Sequence, residues 1–230
     1  LRLQAGTGFR APSNFELFSD YGSTELQPEK SRNLDLGIEQ ELGDTTVLRA
    51  TAFTNRLRAA IGNVTLANGP GTFPGVGFVS GAYRQRLNLD AVRSRGLELD
   101  ARFTQGDWSL SASYALSNAR IRASGAARPL DGLRPAQVPK HMASATLGWR
   151  SLSLTGRYVA AQFEDDANSR RLAGAFTLDG LMALPLGGRL SLILRGENLA
   201  NARVETAISG TGVIERATPR TLWIGVRLNG

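Results

Sequence analysis

The side chains able to do covalent chemistry are few: His141 is the single histidine and there is no cysteine. A Ser-His-Asp site would have to use His141, which follows Pro139-Lys140 at a strand entry. No phosphate-cradling loop, zinc spacing or calcium loop accompanies it. An enzyme, a resident metal, a cofactor and a disulfide framework are therefore not expected. Two acids stand out instead. Asp35 lies between Leu34 and Leu36, and Glu98 between Leu97 and Leu99, so each should point away from an apolar face. Rings and cations gather in two loops, at Phe15, Phe18 and Tyr21, and at Phe73, Phe78, Tyr83, Arg84 and Arg86. Such groups suit an anionic or aromatic chelate. The competing reading has the rings packing loop against loop.

The elements that must position these groups are strands. Strict alternation recurs over about ten residues at a time, the mark of one apolar and one polar face. Leu222, Ile224, Val226 and Leu228 oppose Thr221, Trp223, Gly225, Arg227 and Asn229. Leu34, Leu36 and Ile38 oppose Asp35, Gly37 and Glu39. Leu97, Leu99, Ala101 and Phe103 oppose Glu98, Asp100 and Arg102. Leu110, Ala112, Tyr114 and Leu116 oppose Ser109, Ser111 and Ser113. Between Thr45 and Arg58 the register is ambiguous, because Val47 and Phe53 fall opposite Leu48, Ala50 and Ala52. Ten strands are expected, starting near Leu1, Arg32, Thr45, Ala91, Trp108, His141, Leu152, Ala173, Arg189 and Arg220.

Connections alternate in length. Short ones sit at Gly43-Asp44, Gln105-Gly106-Asp107, Arg150-Ser151 and Gly187-Gly188. Long ones run from Arg10 to Ser31, Gly62 to Asp90, Arg122 to Lys140, Asp165 to Leu172 and Val204 to Pro219. Short turns on one rim and long loops on the other are the layout of an outer-membrane β-barrel. A soluble sandwich has shorter strands and no such rhythm, and a propeller would repeat every 40 or so residues. Arg, Asp and Glu in mid-strand suit a hydrated lumen, and the opposite apolar face suits lipid. Trp108, Trp149 and Phe103, beside short turns, suit one membrane interface. The formal charge is +7, but most arginines are spread singly along the strands, so nucleic acid is not an expected partner.

Four strings then resemble TonB-dependent receptors. They are GFRAP (Gly8 to Pro12) with LQPEKSRNLDLGIE (Leu26 to Glu39), VRSRGLELDARF (Val92 to Phe103), PAQVPKHMASATLGW (Pro135 to Trp149), and ENLANARVE (Glu197 to Glu205) with ATPRTLWIGVRL (Ala217 to Leu228). The third is similar to the loop-to-strand entry of ferrichrome-type siderophore receptors. Together the four span nearly the whole chain in the family's order.

The resemblance implies an all-β fold, an antiparallel transmembrane barrel of about 22 strands closed around an N-terminal plug. Residues 1–230 would then be the C-terminal part of that barrel, with the plug and the first strands lying upstream. It implies a place in the outer membrane of a Gram-negative bacterium. It also implies TonB-driven import of a scarce nutrient, most readily a ferric siderophore. The partners would be the plug of the same chain, the TonB complex, and outer-membrane lipid and lipopolysaccharide. Asp35 and Glu98 are the positions that would pair with plug arginines, with Asp standing where Glu is usual. Phe18, Tyr21, Phe78, Tyr83, Arg84 and Arg86 would contact ligand from the outer loops. Family barrels end in an aromatic residue, where this sequence has Gly230. The alternatives are a passive porin or other small closed barrel of about ten strands, and a soluble carbohydrate-binding β domain.

Overall fold

The computed structural model describes residues 1–73, 76–209 and 211–228. Ten strands form one antiparallel sheet in chain order. They are β1 (Arg2–Arg10), β2 (Glu29–Leu42), β3 (Thr46–Arg58), β4 (Ala91–Gln105) and β5 (Trp108–Arg122), followed by β6 (His141–Trp149), β7 (Leu152–Val159), β8 (Ala175–Gly187), β9 (Leu190–Glu197) and β10 (Thr221–Leu228). Each starts within a few residues of its expected place. β1 and β10 are the sheet edges, each paired on one side only, so among the described residues the wall does not close on itself. A small closed barrel would need that missing pair. Asn229 and Gly230, which the sequence reading placed on the last strand, lie outside the described residues.

Turn chemistry sets the short rim. Gly43 and Gly106 take positive φ values of 62° and 57°, where a Cβ would be strained. Arg150 adopts φ 51° without being glycine, and neighbouring contacts hold it there. Its amide donates to the Asp107 carbonyl at 3.0 Å, its Nε lies 2.8 Å from Asp107 Oδ2, and its guanidinium covers the Trp149 ring.

Register then fixes the two faces. Asp35 pairs with Phe53 and Phe53 with Gly96, while Gly37, Thr51 and Glu98 form the next row on the same side. This resolves Thr45 to Arg58: Val47 and Phe53 point inward, and Leu48, Ala50 and Ala52 point outward. The inner face is linked across strands by Ser113–Ser144 and Thr146–Thr155 hydroxyl pairs, each at 2.9 Å, and by the Arg157–Asp179 ion pair. On β8 and β9 it also carries Leu181, Ala183 and Ile193 beside Arg195 toward the short rim. The outer face carries a Trp108–Trp149 pair with ring centroids 5.9 Å apart beside the short turns, with Phe103 on the same side. That arrangement matches an interfacial aromatic girdle.

The long connections are more ordered than their composition implied. The first holds a short helix, α1 (Asn14–Phe18), and the second and fifth hold small hairpins. The main buried cluster joins Ala60, Val64, Leu89, Ala123, Ala127 and Leu130 of the loops to Ile121, with Leu57 and Val92 packed against it. Leu57, Val92 and Ile121 are inward-facing by register. The inner face is therefore apolar at its outer end because loops fold over it.

Gly96 shows how closely the wall packs. An added Cβ would come 2.7 Å from the Phe53 ring and would collide with the Leu116 carbonyl oxygen. Gly96→Ala should destabilise the wall by about 1–3 kcal/mol, since backbone must move. Urea unfolding of the full-length receptor in lipid vesicles reads this, and an unchanged midpoint would contradict the packing described.

Candidate functional site

The outer mouth is built by stitching each long loop to the next. In the first, Ser13 caps α1 and exchanges hydrogen bonds with Glu16, the reciprocal capping box. Glu16 also receives both terminal nitrogens of Arg10, at 2.8 and 2.9 Å. The same guanidinium donates from Nε to Glu29 at 2.6 Å, and the other oxygen of Glu29 accepts from the Ile61 amide at 2.8 Å. Glu29 is buried, so its two partners are what make its charge tolerable there. Asn88 ties the first loop to the second, exchanging hydrogen bonds with the Gln27 backbone and donating to the Ala59 carbonyl. Arg86 donates its amide to the Tyr21 carbonyl at 2.7 Å.

Farther along, Asn168 and Asp166 bind the backbone of Arg134 and Ala136, joining the third and fourth loops. Arg170 donates to the Ile208 carbonyl, reaching the fifth. Burial pushes the Asp165 carboxyl up, but hydrogen bonds from Ser169 and Arg170 outweigh it and hold the group below its usual range.

These contacts enclose a cavity of about 530 Å³ lined by the second, third and fourth loops. Arg84 and Arg86 of the second loop line it together with Glu164, Asp165, Asp166 and Arg170 of the fourth, where Arg170 pairs with Asp165 at 3.4 Å. Asn63 also lines it, and its Oδ1, like Arg86 Nε, is buried without a hydrogen-bond partner among the described residues. Such groups are rare and call for an explanation. Of the residues expected to bind ligand, Arg84 and Arg86 reach this cavity. Phe18 and Phe78 remain exposed, at 70% and 71%, as does Tyr21. Tyr83 stacks on Phe73 at 5.1 Å. Asn63, Arg170 and the Glu164–Asp166 acids were not singled out by sequence. The only signal was the turn-forming run Asp165-Asp166-Ala167-Asn168.

Asp35 and Glu98 both lie on the inner face, two strands and one register row apart, roughly 12 Å from strand spacing and rise. Neither has an ion-pair partner among the described residues. His141 sits on the outer face with Nδ1 2.8 Å from the Tyr114 hydroxyl, an interfacial pair without a triad's third member. No group of three or more His, Cys, Asp or Glu among the described residues converges to hold a metal.

The model of the TonB dependent receptor-like beta-barrel family matches residues 1–199. The chain belongs to this family. It is 31% identical over 159 residues to the iron-regulated outer membrane virulence protein of Vibrio cholerae serotype O1, covering 63% of this chain and 23% of that protein. The chain thus spans about a quarter of that relative's length. Among solved structures it resembles the copper transporter OprC (TM-score 0.73, 20% identity, 97% of this chain and 36% of that one). It also resembles the ferric yersiniabactin uptake receptor FyuA of Yersinia pestis (TM-score 0.72, 19% identity, 98% and 34%).

The TonB-dependent receptor motifs acquire physical reasons here. Arg10 of GFRAP and Glu29 of LQPEKS are register partners and an ion pair. In ENLANARVE, Asn198 is buried with φ 47°; it receives the Ala202 amide, donates to the Ala202 carbonyl, and gives its own amide to Asp179. Leu199 fills the space beside Gly180 and Gly196. Asn201 accepts from the Arg220 amide, joining the two halves of the closing motif.

Glu29→Ala should speed hydrogen exchange at the Ile61 amide by roughly 10- to 100-fold, the worth of a charge-assisted bond. Unchanged protection would contradict its role. The pH dependence runs the same way. Arg10 holds the Glu16 carboxyl down at about 2, from 4.5. Its contribution is therefore complete above about pH 4.5 and is lost as pH falls toward 2. Proteolysis of residues 11–28 should be flat from pH 7 to 5 and rise below that, and an earlier onset would contradict the pairing.

Proposed function

We propose that this chain forms the C-terminal part of the barrel of an outer-membrane receptor that imports a scarce metal chelate, most readily a ferric siderophore. In this reading residues 1–230 are wall and outer loops, and an upstream plug fills the lumen. The observation that carries it is the cavity at the mouth. Arg84 and Arg86 line it together with Asn63. An anionic ligand would pair with their guanidinium groups. Exposed Phe18, Tyr21 and Phe78 of the first two loops offer rings for first contact.

Asp35 and Glu98 fit the plug-facing role, since both point inward and lack a cation. Leu181, Ala183 and Ile193 give the plug an apolar surface on the same face. Ligand binding outside would loosen these contacts, and the TonB complex, drawing on the inner-membrane proton gradient, would pull the plug aside. A small barrel of about ten strands closed on itself is disfavoured, because among the described residues β1 and β10 do not pair.

A deletion strain carrying the full-length receptor should regain growth on one of a panel of ferric chelates under iron limitation. Arg84→Ala with Arg86→Ala should weaken binding of that chelate at least about tenfold. Rescue by no chelate, or undiminished binding in the double variant, would overturn this reading. Asp35→Ala with Glu98→Ala should lower the force or denaturant needed to release the plug. If release and uptake are both unchanged, the acids have no such role.

A further inference from the structure

The second loop alternates with the same two-residue period as the wall. Its hairpin pairs Ile61–Asn68 with Ala82–Asn88, and register sets Asn63 opposite Arg86 and Thr65 opposite Arg84. Residues directly across an antiparallel pair share a face, so these four side chains project the same way. Val64 and Leu87 take the other face, where Val64 is buried in the loop core and Leu87 packs against it. The polar face is left to the cavity of about 530 Å³, which all four of its residues line.

The fourth loop supplies the remaining charge. Asp165 and Arg170 pair with each other. Asp165 also accepts from the Ser169 amide and hydroxyl, and Arg170 donates to the Ile208 carbonyl, so both are satisfied within the loop frame. Glu164 and Asp166 are not. Each accepts one hydrogen bond, from the Gln137 side chain at 3.2 Å and the Ala136 amide at 2.7 Å, which fixes the carboxylate without cancelling its charge. Arg84 and Arg86 have no ion-pair partner among the described residues. The uncancelled charge of the cavity is therefore two guanidiniums from one loop and two carboxylates from another. All four are half-buried.

Opposite charges that share a cavity without pairing are being held apart. The Arg86 amide is fixed on the Tyr21 carbonyl at 2.7 Å, and the Glu164 amide on the Arg170 carbonyl at 2.8 Å. Asn168 clamps the fourth loop to the backbone of Arg134. For a polyanion, attraction to the arginines is offset by repulsion from the acids. A ligand carrying both signs gains at both pairs of residues and is repelled by neither. The volume lies within the range of small-molecule sites, roughly 300–1,000 Å³.

We propose that this cavity selects a zwitterionic chelate, one that presents a carboxylate to Arg84 and Arg86 and an ammonium group to Glu164 and Asp166. The inference rests on the transport reading above and narrows its ligand from anionic chelates in general to those that also carry a cation. Guanidinium forks take a carboxylate through paired hydrogen bonds. An ammonium has three donors, and the second oxygen of each acid accepts nothing among the described residues.

The test uses the full-length receptor, purified in detergent, and a synthetic ferric trihydroxamate bearing one terminal amine and one terminal carboxylate. Two blocked forms accompany it, one N-acetylated and the other converted to the methyl amide. Calorimetric titration should show wild type binding the parent at least about tenfold more tightly than either blocked form. Glu164→Gln with Asp166→Asn keeps both hydrogen-bond acceptors and removes both charges. In that variant N-acetylation should no longer matter, while blocking the carboxylate still should. Arg84→Gln with Arg86→Gln should give the reverse pattern. A mere loosening of the loops would weaken all three forms alike, so the crossed pattern reports contact with ligand. Heat-modifiable migration verifies that each barrel is folded. Equal binding of the parent and its N-acetyl form by wild type, uniform loss across the three forms in either variant, or no binding of any form would overturn the proposal. Growth through the wild-type receptor on a purely anionic ferric chelate but not on the parent would also overturn it, while leaving the transport reading intact. Growth on no chelate at all would fail the transport reading itself, and this proposal with it.

Discussion

In hydrocarbon a backbone N–H or C=O has no water to turn to, and each one left unpaired costs several kcal/mol. Everything else in this molecule follows from meeting that demand with one continuous antiparallel ladder. Once β2 pairs with β3 from Lys30↔Arg58 to Leu42↔Thr46 without a break, every side chain on both strands is assigned a face. A slip of one residue would turn Asp35 and Glu98 into the lipid and Leu34 and Leu97 into the lumen. The cost of that exchange is what makes the register unique.

The outer end obeys a different constraint. There the strands leave the lipid band and the loops fold across the inner face, so Leu57, Val92 and Ile121 are apolar, whereas the next inner row holds Asn33, Asn55 and Ser94. Charge moves to the opposite face, as a patch of eight exposed cations, Lys30, Arg32, Arg56, Arg58, Arg93, Arg95, Arg120 and Arg122. The inversion at the rim reflects a change of surroundings on each side, loop core within and headgroups without. Between them the Arg10–Glu16–Glu29 link and Asn88 hold the first two loops in place over the mouth.

The wall was legible in the sequence because period-two alternation is local. Leu110, Ala112, Tyr114 and Leu116 could be set against Ser109, Ser111 and Ser113 without knowing any partner strand. Thr45 to Arg58 could not be read, because Phe53 faces inward to lie against Gly96, a contact made across strands. The cation patch was hidden for the same reason: its members come from four strands, two from each, and look scattered in the chain. Loop geometry was the least legible. Nothing local joins Asn63 and Arg86 to Asp165 and Asp166, which meet only after three loops have packed. Rings and arginines drew attention to the second loop, where Arg84 and Arg86 line the cavity, yet Tyr83 was taken up by Phe73 and Phe78 stayed outside.

The central claim is that alternate residues of one strand face lipid and lumen. Single cysteines can be placed from Asn33 to Gln40, since this sequence has none of its own, in a full-length receptor with any cysteine elsewhere replaced, then spin-labelled and reconstituted into bilayers. Accessibility to oxygen should peak at positions 34, 36 and 38, and accessibility to a polar nickel chelate at 33, 35, 37 and 39. A profile without a two-residue period, or one with the two sets exchanged, would contradict the account.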